Sequence, residues 1–488
     1  MSVHGFVNHP YLHYIDKGLG KTDKPKKIAI IGAGMSGLAA GSLLREAGHD
    51  ITILEGSDRA GGRIYTIRKP FTDPLYFEAG AMRIPGVHSL TLAYLRKYKL
   101  KVNRFYNSTP EDLIYVNGRR IRLKYLKAIG TDLNFPVAGW EKKKTALELF
   151  QIATRNLTSM IMKNPDENWK YAQKLYGDYS MDLFLRKNPI GPSLSSGAID
   201  MIKVMLSLEG FPELSFFGIY RELLYLFDPF MKFYEVEGGN DRLPLLLLDE
   251  LKEDVQLRKR VSRIRGEGGK SISLDAFDTK THEPVTVKAD CILITIPFSA
   301  FQYIDVVPQS LFSYHKWRAI RELHYVTSTK IGIQFKKNFW SRNGYSGGQS
   351  ITDLPIRFSY YPSRPGKGAN VMTASYTWED DTLLWDSMPQ EDCVQKALEN
   401  LAKLHGSIVF REFEAGVSYS WSRNPFSSGA FSLAKPAQEQ ELGPFIASPE
   451  GRVHFAGEHT SNFPAWIEGA VESGIRAAIE IHLRSAER

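Results

Sequence analysis

Lys27-Ile28-Ala29-Ile30-Ile31-Gly32-Ala33-Gly34-Met35-Ser36-Gly37, followed by Gly48-His49-Asp50-Ile51-Thr52-Ile53-Leu54-Glu55, is the stretch that decides the fold of this chain. Residues 27–31 are a short β-branched run and read as a strand. After the glycines, Leu38, Ala39, Leu43, Leu44 and Ala47 recur at helical spacing, Gly48 stops the helix, and residues 51–54 form the next strand. This is a β-α-β unit of about 30 residues, the length a parallel sheet needs. Its turn is Gly32-x-Gly34-x-x-Gly37, placed where a strand hands over to a helix. Gly32 permits the tight turn, Gly34 lets the backbone approach a pyrophosphate, and Gly37 lets the helix pack on the strand. The helix start, with Met35 and Ser36, offers N–H groups and a positive dipole end to phosphates. Glu55 ends the second strand where a carboxylate accepts from a ribose hydroxyl. A dinucleotide site is expected here.

Working outward, residues 1–24 are Tyr-, Gly- and Lys-rich without a period and read as an arm laid over the body. Residues 140–233 are mainly helical in pattern, with Leu, Ile, Met and aromatic residues at three- and four-residue steps. Residues 255–295 return to strands, 271–277 by alternation and 291–296 as a continuous apolar run. Residues 330–335, 356–361 and 371–377 read as a second sheet. Residues 453–456 form a buried strand, and 465–481 a helix rich in small residues.

The chain has 488 residues, a length that suits about two or three domains. Apolar residues make up 43% and charged residues 24%, an ordinary globular balance. The formal charge of +8 is spread along the chain with no recognition motif beside it, so no nucleic-acid partner is expected. Cys291 and Cys393 are the only cysteines and lack C-x-x-C spacing, so neither a metal site nor a redox disulfide is expected. No signal-peptide core or membrane-length apolar run is seen, and a soluble cytoplasmic protein is expected.

The extension Glu55-Gly56-Ser57-Asp58-Arg59-Ala60-Gly61-Gly62-Arg63 resembles the flavin amine oxidase superfamily, where the double glycine and arginine wrap the FAD diphosphate. The resemblance covers nearly the whole chain. Gly238-Gly239-Asn240-Asp241-Arg242-Leu243 is similar to the start of the second cofactor segment, and Val261 falls where the family's backbone holds adenine. Phe455-Ala456-Gly457-Glu458-His459-Thr460 resembles the closing motif, whose glutamate contacts the ribityl or pyrophosphate region. What this implies is an α/β fold with a Rossmann-like (GR2-type) FAD-binding domain, an inserted mixed-sheet substrate domain and a helical domain. The FAD-binding domain is expected from residues 25–80, 234–310 and 440–488, the substrate domain from 81–139 and 311–439, and the helical domain from 140–233. Some relatives attach FAD through a cysteine in a segment resembling residues 421–431. Here that segment carries Ser427, Ser428, Gly429 and Ala430, so FAD is expected to be non-covalent and to be released on acid precipitation.

Within the superfamily the resemblance is nearest to L-amino acid oxidases. Gly80-Ala81-Met82-Arg83-Ile84-Pro85 is similar to the segment whose arginine faces the flavin and grips the substrate carboxylate. A guanidinium fork suits that task because it makes two parallel charge-assisted bonds and so fixes Cα. A structural ion pair is the competing reading for Arg83. Tyr376 matches the tyrosine that also holds the carboxylate, with half-buried packing as its alternative. Ala465-Trp466-Ile467 resembles the segment beside substrate and cofactor, with Trp466 as an aromatic wall and the Ala465 carbonyl facing the amino group. Lys330 matches the lysine that holds a water near the flavin and assists reaction with O2. An inward lysine on an apolar strand is also hard to explain by packing. Gly80, Ala81, Met82 and Trp421 are expected to touch the cofactor as well. Venom-type relatives have a histidine base in the helical domain, whereas Leu223 lies near the matching place here. With Leu223, Tyr225, Phe227, Trp378 and Trp421 as possible linings, large hydrophobic or aromatic substrates are expected. The expected reaction is oxidation of an L-amino acid by O2 in a homo-oligomer. A monoamine or polyamine oxidase and a flavin-dependent tryptophan 2-monooxygenase are the alternatives.

Overall fold

The β-branched residues of the first strand become the centre of a sheet. In the computed structural model, which describes residues 9–126, 133–269, 271–363 and 368–486, strand Lys27–Ile31 lies third in a five-stranded sheet. Its neighbours are Asp50–Leu54, flanked by Val255–Gln256, and Cys291–Ile294, flanked by Val453–Phe455, and every pairing is parallel. Four of these strands are buried on both faces or nearly so, which is why they read as continuous apolar runs rather than alternations. Helix Met35–Glu46 covers one face, and helix Ile467–Ala486 packs on it so closely that a Cβ at Gly474 would lie 2.5 Å from the Ser36 carbonyl oxygen. The sheet therefore joins segments from the start, the middle and the end of the chain.

Cys291 and Cys393 are both buried thiols. Beside the parallel sheet stands a four-stranded one, ordered Pro284–Ala289, Ser271–Asp278, Lys259–Glu267 and Asp305–Val307. A seven-stranded sheet forms the second large layer, with Ser328–Phe335 between Phe413–Ser420 and Asn370–Trp378.

Residues 140–233 hold five α-helices: Ala146–Ile161, Pro165–Tyr176, Met181–Arg186, Ser196–Met205 and Phe216–Leu226. Side-chain caps start four of them: Thr145 with Glu148 in a reciprocal capping box, then Ser180, Ser195 and Ser215. Each cap satisfies an otherwise orphaned N–H and contributes about 1 kcal/mol. Strand Phe233–Val236 then returns the chain to Ile84–Pro85 and Val102–Phe105.

Two boundaries differ from the sequence reading. The arm contains a helix, Leu12–Lys17, in which only Ile15 is buried, too short for periodicity to reveal; residues 1–8 of the arm lie outside the described residues. The last helix begins at Ile467 rather than at residue 465, because Ala465 sits at φ 69°. Among the described residues, no helix is long and apolar enough to cross a membrane.

Candidate active site

A single elongated cavity of about 790 Å³ runs from the first β-α turn to the large sheet. At its dinucleotide end the lining includes Gly32, Gly34, Met35, Ser36, Glu55, Gly56, Gly62, Arg63 and Val261. Three observations suit a bound dinucleotide. No side chain caps the helix that begins at Met35, so its amides are left to a ligand. A Cβ at Gly34 would meet nothing within 4 Å, which keeps open the space that a phosphate needs. Glu55 is held by the amide of Ala33 at 2.8 Å and by that of Ser57 at 2.9 Å, so its carboxylate is fixed in place. Gly37 lies under the turn rather than in the cavity: a Cβ there would be 2.1 Å from the Gly32 carbonyl oxygen.

Glu458, in the cavity wall, ties together Arg63, Ser432 and Ala465. It accepts from Arg63 at 2.7 Å, from the Ser432 hydroxyl at 2.8 Å and from the Ala465 amide at 2.9 Å. Arg63 also donates to the Ala430 carbonyl at 3.1 Å. Burial opposes ionisation of Glu458, but the charge of Arg63 and the Ala465 amide outweigh it and hold the carboxyl below its usual range. Ala465 has the left-handed backbone that favours glycine, at a cost of about 1 kcal/mol. Its bond to Glu458 helps keep it there, and it places Trp466 and Ile467 on the cavity wall.

The opposite wall comes from strand register. Lys330 pairs across from Tyr376 on one side and Tyr419 on the other, so all three side chains share one face. All three line the cavity, with Gly80, Ala81 and Trp421 beside them. Lys330 is 1% exposed, its Nζ donates to the Gly80 carbonyl at 2.7 Å and the Glu78 carbonyl at 3.3 Å, and it lies 4.2 Å from the Tyr376 ring centroid. Trp421 donates its indole N–H to the Ala79 carbonyl at 2.8 Å. Burial, helped by nearby Arg83, lowers the Lys330 pKa to about 7, while burial raises Glu78 to about 8.

For Lys330 the folded value lies below the ordinary 10.5, so the unfolded chain binds more protons between about pH 7 and 10.5. The lysine costs nothing above that window and its full penalty below it. Lys330→Met is therefore expected to gain thermal stability over the unsubstituted protein as pH falls from about 10 to 7. Thermal unfolding of both proteins across that range checks this, and a gap that shrinks toward pH 7 would contradict it.

Arg83 stands beside this wall, behind the cavity surface. Its Nη1 donates to the Asn107 side-chain oxygen and, at 3.3 Å, to the Tyr360 hydroxyl, and among the described residues it has no ion pair. The ion-pair alternative is therefore not realised. Its charge nevertheless reaches Lys330, Tyr376 and Glu222. Burial raises the Tyr376 hydroxyl to about 12, against the pull of Arg83, so it stays a neutral donor. Trp466 crosses the same region, with its indole N–H on Glu222 Oε2 at 2.8 Å and its ring edge-on to His88, centroids 5.1 Å apart.

The remaining expected residues lie elsewhere. Met82 is buried in the core of the helical layer, and Trp378 packs behind Tyr376 with ring centroids 4.1 Å apart. Leu223 and Phe227 line a separate cavity of about 410 Å³ against helix Ala146–Ile161, because that face of helix Phe216–Leu226 points away from Trp466. The side chain of Tyr225 lies outside the described residues. Sequence reasoning missed Glu222, Asn107 and Tyr360. A lone acid inside the apolar run Phe216-Phe217-Gly218-Ile219-Tyr220-Arg221-Glu222-Leu223-Leu224 is a signal for the first; Asn107 and Tyr360 carry none.

The family model described as flavin containing amine oxidoreductase matches residues 35–482. YobN of Bacillus subtilis, provisionally named an L-amino-acid oxidase, is 46% identical over 98% of this chain and 99% of its own length. An L-amino-acid oxidase of Siganus canaliculatus is 35% identical over 96% of this chain and 88% of its own. Among solved structures, cyclohexylamine oxidase from Brevibacterium oxydans shares the fold at a TM-score of 0.76 and 20% identity, covering 95% of this chain and 100% of that one.

Proposed function

This chain belongs to the flavin containing amine oxidoreductase family, an oxidoreductase acting on CH–NH2 groups with a flavin cofactor, and from that premise we propose that it is an FAD-dependent L-amino acid oxidase. The reaction is an L-amino acid with O2 and water giving a 2-oxo acid, ammonia and H2O2. One observation carries the choice of a carboxylated substrate: Arg83 is a cation held by Asn107 and Tyr360, its charge reaches Tyr376, and among the described residues no carboxylate pairs with it. A partly buried guanidinium without a counter-charge is costly, and a substrate carboxylate supplies what the protein withholds.

The residues divide the work as follows. Arg83 and the Tyr376 hydroxyl bind the carboxylate and so fix the position of Cα. Trp466 walls the site, and the strained Ala465 turns its carbonyl toward the amino group. Lys330 turns two donors to the Gly80 and Glu78 carbonyls, which leaves Nζ a third N–H as the ammonium or a lone pair as the neutral amine to hold a water. A flavin held there would supply the two-electron acceptor for oxidation at Cα. Arg63 and the uncapped helix at Met35 take the diphosphate, and Glu55 takes the ribose.

Anaerobic mixing of the purified yellow protein with each L-amino acid tests this reading. Loss of the visible flavin absorbance with a subset of them, and peroxide with 2-oxo acid once air is admitted, is the expected result. If no amino acid bleaches the flavin the assignment fails, and release of carbon dioxide in place of peroxide would indicate a monooxygenase.

A further inference from the structure

Glu222 is a carboxylate in an unusual position. It sits on helix Phe216–Leu226, whose neighbouring residues Leu223 and Leu224 face the separate apolar cavity. One residue along a helix turns a side chain by about 100°, which aims Glu222 at Trp466 instead. Its Oε2 accepts the indole N–H at 2.8 Å, its only hydrogen bond among the described residues. No cation there pairs with it: Arg221 pairs with Glu439 at 3.6 Å and lies over the Trp169 ring, and Arg83 turns Nη1 to Asn107 and Tyr360. The acid is partly buried, and with one hydrogen bond and no ion pair among the described residues it keeps an oxygen for a cation.

The acid and Arg83 form a matched set. The charge of Arg83 reaches the acid, and Trp466, bonded to the acid, lines the cavity. We infer that Glu222 is a specificity-determining residue that receives the side-chain ammonium or guanidinium of a basic L-amino acid whose carboxylate is held by Arg83. This rests on the amino-acid reading above and deepens it. The substrate then brings one negative and one positive group to a site that holds one of each.

The groups facing Glu222 set its behaviour with pH. Burial is the largest influence and lifts it to about 7, with Glu458 adding to the rise, while the Trp466 bond, Arg221 and Arg83 oppose it. Below that value the neutral acid tolerates long apolar side chains. Above it the carboxylate favours cationic chains and rejects acidic ones.

The test compares L-lysine with L-norleucine, and ε-aminocaproate with caproate, which keep the carboxylate and chain but have no α-amine to oxidise. In the holoenzyme at about pH 8, ε-aminocaproate is expected to bind more tightly than caproate by calorimetry. Glu222→Gln, which keeps an oxygen for the indole, is expected to cut that preference about tenfold or more, a loss of one charge-assisted contact. The lysine-to-norleucine ratio of kcat/KM falls with it, and Glu222→Met serves as the second variant. An unchanged preference in both variants while norleucine is still oxidised overturns the role of Glu222 and leaves the amino-acid reading standing. Failure of the unsubstituted protein to oxidise any amino acid overturns both.

Discussion

Arg83→Ala is expected to lower kcat/KM toward L-amino acids by about a thousandfold. Each charge-assisted hydrogen bond in a sheltered site is worth about 2 kcal/mol, a two-pronged grip about 4, and each 1.36 kcal/mol is a factor of ten. Part of the loss falls on kcat, because a substrate no longer fixed at its carboxylate leaves Cα free to wander from the reacting geometry. Arg83→Lys keeps the charge but not the planar fork, and an intermediate loss is expected. Asn107 and Tyr360, both on Nη1, leave the other guanidinium donors to the ligand, so the variant breaks no ion pair among the described residues. Steady-state kinetics on L-amino acids and on simple primary amines reads the result. An equal loss on both classes would mean that Arg83 serves the fold or the flavin rather than the carboxylate.

Arg63→Ala is expected to yield protein that is nearly colourless and markedly less stable. Glu458 would remain buried with its chief counter-charge removed, a change that typically costs about 3–5 kcal/mol. The Ala430 carbonyl loses its donor at the same time. Adding Glu458→Gln to that variant removes the stranded charge and is expected to restore much of the melting temperature without restoring colour. The ratio of visible to ultraviolet absorbance and a thermal melt separate the two effects. A yellow, stable Arg63→Ala protein would show that the arginine is peripheral to both.

The parts of the fold that could be read in advance are those fixed by local chemistry. Gly32 at φ 105° and Gly37 against the Gly32 carbonyl are steric demands of one short turn, and a turn announces itself in a few residues. The strands of the parallel sheet, apolar on both faces, were legible for the same reason. The site is harder because it is made by register and rotation across the chain. Lys330 stands opposite Tyr376 only because two strands pair as they do. The step from Leu223 to Glu222 is one residue in sequence and about a quarter turn in space. That step exchanges a side chain facing the helical cavity for an acid bonded to Trp466. Asn107 holds Arg83 from a loop, where no periodicity points to a partner.

The five-stranded sheet takes its edge strand from Val453–Phe455, and Glu458, three residues beyond, ties Arg63 to Ala465. A nascent chain thus carries the glycine turn about 400 residues before the residues that close the cavity. Cofactor uptake is therefore expected to wait for residues 453–467, and a product cut short before residue 453 is expected to keep an open sheet edge and no colour.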